Sequence, residues 1–264
     1  MELHNNSSPA RLTKYPEALA ARIERERAQL KAQHIQLLIT INCTLSMQLY
    51  LGDIRHQQVE LLESLSQQYP HLETNVMLYR ELGREPTGPA EGPWTDDPEE
   101  GAKWNRYPIA VMRTPSPGFR SPGNKSLKRF LHVCCHARDG DKRAAMGRAF
   151  TKATEDYVWT APKRVILNFG DQNSHGWCRE PRYKRDPHAT EDVYHENVLK
   201  ALQSESITVC MVYVPTKVKP RCDLVEHKRI AEQTGGRFTN YKKVRTLDSL
   251  LEFLEPAFTD NPKR

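Results

Sequence analysis

The segment that decides the fold is residues 35–47, which read IQLLITINCTLSM. Its first seven residues form a near-continuous apolar run, the pattern of a strand covered on both faces of a parallel sheet. The run leads into a polar loop in which Asn42, Thr44 and Ser46 carry oxygen-bearing side chains at alternate positions. Doubly wound α/β folds bind their ligands at the carboxyl ends of such strands. We therefore predict a first strand followed by a ligand-binding loop.

Further along the chain, strand-like runs alternate with helical segments, as in a sheet of parallel strands connected by helices. The strand-like runs are residues 35–41, 75–79, 107–112, 164–167, 207–214 and 238–241. The helical segments are residues 17–33, 56–69, 125–136, 140–156, 191–203, 223–234 and about 247–254. The strand at 107–112 contains a proline, which favours a sheet edge. We therefore predict an α/β fold: a doubly wound, mostly parallel central sheet with helices on both faces and an N-terminal helical extension.

The domain organisation follows from changes in composition along the chain. Residues 1–33 are predicted to be an extension with one helix, residues 34–256 the α/β domain, and residues 257–264 a tail. Residues 81–101 combine proline, glycine and acidic residues with almost no apolar side chains. Because such a segment cannot form a core, we predict an exposed insertion at about residues 81–106.

The overall composition is that of a soluble protein with several polar loops. Charged residues make up 27% of the 264 residues, the formal net charge is +6 and the mean hydropathy is −0.71. No apolar run approaches the roughly 18–20 residues of a membrane-spanning helix, and the first residues lack the apolar region of a signal peptide. The six cysteines are scattered along the chain. We therefore expect a cytoplasmic, reduced protein that does not insert into membranes.

Three motifs resemble those of von Willebrand factor A (vWA) domains, over about residues 33–256. The loop Asn42-x-Thr44-x-Ser46 is similar to the family's Asp-x-Ser-x-Ser. Residues 144–150, AAMGRAF, resemble the family's Thr-Pro-Leu-Gly-x-Ala-Leu, and residues 165–171, VILNFGD, resemble a strand ending in Leu-Thr-Asp-Gly. The resemblance implies a protein-binding domain. In intact members the three motifs hold a divalent cation that accepts a carboxylate from a partner protein, the metal-ion-dependent adhesion site.

Mapped onto these motifs, the cation-binding positions of this chain are degenerate. Asn42, Ala144 and Phe169 stand where the family has Asp, Thr and Asp, which removes anionic oxygens that hard cations need. We therefore predict no tight metal site and no cofactor. Two acidic residues near the second and third motifs are added to the site, because the register of degenerate motifs can differ by two or three residues. The predicted site residues are Asn42, Thr44, Ser46, Asp141, Phe169 and Asp171.

Other roles are open to the same residues. Asn42, Thr44 and Ser46 could cap the helix that follows them, since side-chain oxygens accept N–H bonds from a first helical turn. Phe169 could fill space that a metal occupies in other members, or contact a partner. Three Cys/His groups invite a zinc interpretation, but their spacings are unequal and differ from those of structural zinc sites. These groups are Cys134-Cys135-His136, His175-x-x-Cys178 and Cys222-x4-His227.

Two loops, residues 113–129 and 179–188, combine basic and aromatic residues. If the vWA order of elements holds, both follow strand ends on the edge that carries Asn42, and together they form a positive rim. Such a rim suits acidic segments of a protein partner, or the phosphates and bases of nucleic acid; a solvated loop surface is the alternative. The predicted rim residues are Arg113, Arg120, Lys125, Arg179, Arg182, Lys184 and Arg185.

The sequence therefore predicts a function in protein–protein interaction rather than in catalysis. We expect a vWA-like adaptor or scaffold subunit of a multi-protein complex, which has lost tight divalent-metal binding. The alternative is a nucleic-acid-binding subunit that uses the basic rim. A weaker alternative is an enzyme with a site near His175, although no nucleophile lies at a recognisable spacing from it.

Overall fold

The computed structural model describes residues 19–25, 33–80, 111–113, 117–134, 146–172, 195–216 and 225–259. The strands are β1 (Ile35–Asn42), β2 (Leu72–Tyr79), β3 (Val111–Arg113), β4 (Lys163–Gly170), β5 (Ile207–Tyr213) and β6 (Phe238–Asn240). The helices are α1 (Gln48–Gln68), α2 (Lys125–Cys134), α3 (Met146–Glu155), α4 (His195–Ser204), α5 (Val225–Gln233) and α6 (Leu247–Phe258). Residues 19–25 are also helical, and 3₁₀ turns occupy Leu45–Met47 and Tyr241–Lys243.

The six strands form one sheet in the order β3-β2-β1-β4-β5-β6. All neighbouring strands are parallel except β2 and β3, which are antiparallel. The predicted α/β fold with a doubly wound, mostly parallel sheet is confirmed, and the third strand lies at an edge as expected. The winding changes direction between β1 and β4, so the carboxyl ends of these two strands form the switch point at which such folds bind ligands.

Helices cover both faces of the sheet because strand side chains alternate between two apolar clusters. On β1, Leu37 and Ile39 face the cluster formed with α1, α2 and α6. Leu38 faces the cluster formed with α3, α4 and α5. All eight residues of β1 are buried, as predicted for a central strand. Thr40 and Asn42 have the parity of Leu38, so they lie on the second face, where polar groups enter an otherwise apolar layer.

The main difference in helix boundaries concerns α1, which begins at Gln48 rather than at residue 56 as predicted. Gly52 lies inside the added turns, and because glycine has a low helix propensity, the sequence does not predict a helix there. Leu51 and Ile54 are buried against the sheet. Their burial stabilises the first turns of α1 more than Gly52 weakens them. These turns carry the chain from the loop after β1 onto the surface of the sheet.

The structure describes some, but not all, of the segments in the predicted domain organisation. Residues 19–25 of the N-terminal extension are helical, and all of them are exposed. Helix α6 continues to Phe258, two residues into the predicted tail. The predicted insertion at about residues 81–106 lies outside the described residues. None of the helices described is long and apolar enough to cross a membrane.

The direction of β3 decides where the loop after it lies. β3 runs antiparallel to β2, so the chain leaves it towards the amino ends of the other strands. In agreement, the backbone of Arg120 pairs with Thr74, in the first half of β2. For residues 117–129, the prediction of a position at the edge with Asn42 is therefore wrong, because it requires a parallel strand before the loop. Residues 114–116 lie outside the described residues.

Candidate functional site

Asn42 is the last residue of β1 and Asp171 the first after β4, and the two meet at the switch point. Both are completely buried. Asn42 Nδ2 donates a 2.9 Å hydrogen bond to Asp171 Oδ1, and Asn42 Oδ1 accepts a 3.1 Å bond from the backbone N–H of Thr44. These bonds fix the orientation of the amide, because its oxygen would be repelled by the carboxylate. One oxygen of Asp171 is thus satisfied without a cation.

The loop after β1 adds two hydroxyl groups to this pair. Thr44 Oγ1 and Ser46 Oγ lie 2.9 Å apart; Thr44 is buried and Ser46 partly exposed. Neither Thr44, which precedes the 3₁₀ turn, nor Met47, which precedes α1, makes a side-chain capping hydrogen bond. The hydroxyls therefore bind each other instead of capping the helix. Asn42, Thr44, Ser46 and Asp171 are called the switch-point site below.

Asp171 is surrounded by neutral hydrogen-bond donors. In addition to the Asn42 bond, its Oδ2 accepts a 2.9 Å bond from Thr216 Oγ1. Burial raises the pKa of Asp171, and hydrogen bonds from the hydroxyls of Ser46 and Thr216 oppose this rise. Within the described residues, Asp171 forms no ion pair with Lys, Arg or His. Among the described residues, its charge is therefore stabilised by the dipoles of these donors.

Phe169 does not belong to this site. Strand alternation places it on the opposite face of the sheet from Asn42, where it is completely buried. Its ring centroid lies 6.3 Å from that of Tyr241 in an edge-on arrangement. The assignment of Phe169 to the predicted site beside Asn42 is corrected accordingly. Of the two candidates near the third motif, Asp171 is the one that lies beside Asn42, two residues further along the chain.

The predicted basic rim is not assembled among the described residues. Lys125 starts α2, directly after the loop that carries Arg120, and Arg120 Nη1 donates a 3.0 Å bond to Ser126 Oγ. This region lies towards the amino ends of the parallel strands, away from Asn42, and Arg113 is the last residue of β3. The predicted residues outside the described part are Asp141, Ala144, His175, Arg179, Arg182, Lys184 and Arg185.

A buried network of polar side chains lies within the sheet next to the switch-point site. Asn168 Oδ1 accepts hydrogen bonds from Thr40 Oγ1 at 2.9 Å and Tyr79 Oη at 3.0 Å. Burial raises the pKa of Tyr79 well above its ordinary value, which keeps the hydroxyl a donor. A Cβ on Gly170 would lie 2.8 Å from Tyr79 Oη. The network thus joins β1, β2 and β4 at their carboxyl ends. The one signal of this network in the sequence is a polar residue within each of two otherwise apolar strands, Thr40 in β1 and Asn168 in β4.

A hydrogen bond connects helix α5 to the segment that follows the carboxyl end of β4. His227 Nε2 lies 3.1 Å from the carbonyl oxygen of Gln172 and donates to it, since a carbonyl oxygen can only accept. Burial lowers the pKa of His227, which the nearby Glu226, this hydrogen bond and Asp171 oppose. The ring is therefore neutral near neutral pH, and its Nδ1 has no hydrogen-bond partner within the described residues. The sequence suggested His227 only as a zinc ligand and did not reveal this contact.

The surface over the switch-point site carries two leucines. Leu45, in the 3₁₀ turn, is 47% exposed, and Leu49, in the first turn of α1, is 72% exposed. They are four residues apart in a continuous helical stretch, so they lie on one side of it. The next residue, Tyr50, donates a 2.8 Å bond from its hydroxyl to the carbonyl oxygen of Pro215. That bond fixes the leucine-bearing turn to the segment after β5.

The switch-point site does not fit a tightly held divalent cation. Such ions require several oxygen ligands, and carboxylates supply most of the affinity. Asp171 is the one carboxylate of the four site residues, and the Asn42 oxygen is already bound to the Thr44 N–H. Among the residues that the structure describes, no group of three His, Cys, Asp or Glu side chains is arranged to hold a metal. The residues of the zinc interpretation that lie outside the described part are Cys135, His136, His175, Cys178 and Cys222.

Comparisons with known proteins give a likeness in structure alone. No protein-family model matches the sequence, and no curated protein matches it. Among solved structures, the chain is similar to proximal thread matrix protein 1 (PTMP1) from the mussel byssus, with 12% sequence identity and a TM-score of 0.49. The likeness covers 86% of this chain and 46% of that one, so the chain spans less than half of the length of the mussel protein.

Proposed function

We propose that this chain is a non-enzymatic protein–protein interaction module of the vWA-like kind, an adaptor or scaffold subunit of a multi-protein complex. Its partner binds over the switch-point site, at the carboxyl edge of the sheet, without a tightly held divalent cation. The observation that carries the proposal is the exposure of Leu45 and Leu49 on the turn beside the buried Asn42–Asp171 pair. Apolar side chains next to a ligand-binding edge suit a protein partner.

The hydrogen bonding of the site supports a role in binding rather than in catalysis. A serine nucleophile needs a base within hydrogen-bond reach. The Ser46 hydroxyl instead lies 2.9 Å from the Thr44 hydroxyl. The nearby His227 is buried, and its Nε2 is bound to a backbone carbonyl. The polar groups of the site are engaged with one another, which suits a fixed surface better than a reaction centre.

The position of the basic loop gives the nucleic-acid alternative less support. That alternative relied on two loops that converge at the edge with Asn42. Arg120 and Lys125 of the first loop lie towards the other end of the strands. The second loop lies outside the described residues. Salt dependence separates the two functions, because contacts to phosphates release counterions and weaken steeply as salt rises.

The test compares three forms of the full chain as baits: wild type, Leu49→Asp and Val158→Asp. Val158 is the matched control, since it is 58% exposed but precedes the amino end of β4. The captured protein is then purified and its affinity measured by calorimetry. We expect Leu49→Asp to lose the partner and Val158→Asp to retain it. Equal capture by all three baits would contradict the proposal, and capture that is abolished by nuclease would favour the nucleic-acid alternative.

A further inference from the structure

We infer that the switch-point site receives a lysine ammonium group from the partner protein, bound by the hydroxyl oxygens of Thr44 and Ser46 above the Asp171 carboxylate. The inference rests on the proposed function and specifies the chemistry of the partner. It replaces the expectation that this edge binds acidic segments, which depended on a basic rim.

The charge of the site is the first reason. Asp171 is the one charged side chain of the four, and no Lys, Arg or His of the described residues forms an ion pair with it. A buried carboxylate without a positive partner is unfavourable. A single negative charge is balanced by a single positive charge. With Asn42 neutral beside it, the site matches a monovalent cation better than a divalent one.

The hydroxyl groups are the second reason, because they connect Asp171 to the surface. The Ser46 hydroxyl is close enough to Asp171 to oppose the rise of that carboxyl's pKa, and it lies 2.9 Å from Thr44 Oγ1. If Thr44 donates to Ser46 and Ser46 donates to Asp171, three lone pairs remain on the two hydroxyl oxygens. An ammonium group has three N–H donors and no acceptor. Ser46 is partly exposed, so a ligand can reach this pair without separating Asn42 from Asp171.

The surroundings favour lysine over arginine. Lysine packs its methylene stem along apolar surface while its charged end stays in a polar environment. Leu45 and Leu49 provide such a surface beside Ser46. Arginine prefers to bind both oxygens of one carboxylate with its planar fork. The two oxygens of Asp171 already accept hydrogen bonds from Asn42 and Thr216, so an arginine cannot bind both of them with its guanidinium group.

The test uses two peptides, acetyl-Leu-Lys-Leu-amide and the same peptide with Nε-acetyl-lysine, titrated into the full chain. Amide chemical shifts of Ser46 and Leu49 report binding. We expect saturable shifts with the first peptide and at least tenfold weaker binding of the acetylated one. Asp171→Asn should also weaken binding at least tenfold, whereas Asp53→Asn, at an exposed carboxylate of α1, should not. Ser46→Ala tests the same contact without changing the buried pair.

Binding that is unchanged by acetylation, by Asp171→Asn or by Ser46→Ala would overturn the inference. So would the absence of saturable shifts up to about 10 mM, a concentration at which even millimolar complexes form. If the lysine peptide fails but Leu49→Asp still abolishes capture of the partner, the interaction function stands and only the lysine chemistry is wrong. If Leu49→Asp retains the partner, the proposed function itself is wrong.

Discussion

The side-chain amide of Asn42 donates a 2.9 Å hydrogen bond to the carboxylate of Asp171, across the switch point of the sheet. Two ionised carboxylates at this distance would repel each other unless they shared a proton or bound a metal cation. An amide holds one carboxylate by a hydrogen bond alone. The Asn42–Asp171 pair is therefore held together without a divalent ion, and we propose that binding of a partner beside it does not depend on one.

Asn42→Asp is expected to make the stability of the fold depend on metal. The change places a second buried carboxylate beside Asp171, so repulsion lowers the melting temperature in EDTA. Mg²⁺ or Mn²⁺ gains a second anionic ligand and raises the melting temperature again. Thermal denaturation with EDTA and with each metal measures both effects. The double variant Asn42→Asp/Asp171→Asn is the control and should not respond. A single variant indifferent to metal would count against this account of the pair.

Asp171→Asn is expected to change how stability depends on pH. Burial raises the pKa of Asp171 above its ordinary value of 3.8, so the folded protein holds this proton more tightly than the unfolded chain. The resulting stabilisation is fully present below that ordinary value and is lost as pH rises through the folded pKa. Asp171→Asn lacks the titrating carboxyl group, so this variant does not lose that stabilisation as pH rises. Its free energy of unfolding relative to wild type, from urea denaturation, should therefore increase from about pH 3 to about pH 7.

The control for this pH series is Asp53→Asn, which removes an exposed carboxylate that pairs with Arg245. Its difference from wild type should lack the rise seen for Asp171→Asn. A difference between Asp171→Asn and wild type that stays constant across the series would contradict the claim that burial raises the pKa of Asp171.

Gly170→Ala is expected to destabilise the carboxyl edge. The new methyl group would lie 2.8 Å from Tyr79 Oη, within the network that Asn168 organises. Overpacking of this kind costs about 1–3 kcal/mol in the free energy of unfolding. Gly52→Ala is the control, because nothing lies within 4 Å of its added methyl group in α1, and it should stabilise by about 0.5–1 kcal/mol. Adding Tyr79→Phe to Gly170→Ala should recover part of the loss. Equal melting temperatures for the two alanine variants would refute the close approach.

His227→Gln is expected to make the protein less sensitive to mild acid. Burial lowers the pKa of His227, so the unfolded chain takes up its proton at a higher pH than the folded protein. The stabilisation from this group is present above its ordinary pKa of 6.5 and is lost as pH falls through the folded pKa. Glutamine can keep the bond to the Gln172 carbonyl without titrating. Urea denaturation on either side of 6.5 measures the change, with the exposed His56→Gln as control. Equal acid sensitivity of wild type and His227→Gln would exclude this role.

The order of the main elements was predictable because burial leaves a direct mark on the sequence. The apolar run at residues 35–41 predicts a strand covered on both faces, and all eight residues of β1 are buried. The direction of β3 was not predictable in the same way. Among the described residues it pairs with β2 through three residues, and such a short stretch has no pattern that distinguishes parallel from antiparallel pairing. The misplacement of Arg120 followed from that.

The candidate site was predictable only where its residues are close in sequence. The alternate spacing of Asn42, Thr44 and Ser46 identified one side of it. Asp171 entered as a neighbour of a degenerate motif, because no single sequence reveals a contact across 129 residues. The hydrogen bond from Tyr79 to Asn168 likewise joins residues that are far apart in the sequence. Contacts of this kind depend on the exact register of packed strands, and the apolar pattern excludes one-residue slips but not shifts of two residues, which keep the same faces.

Metal-independent binding of the partner is tested by calorimetry, which gives the affinity of the purified partner for wild type and for Leu49→Asp in EDTA and in Mg²⁺. We predict the same dissociation constant for wild type under both conditions. For Leu49→Asp we predict at least tenfold weaker binding, about 1.4 kcal/mol, under both. Binding by wild type that requires Mg²⁺, or that Leu49→Asp leaves unchanged, would contradict the account.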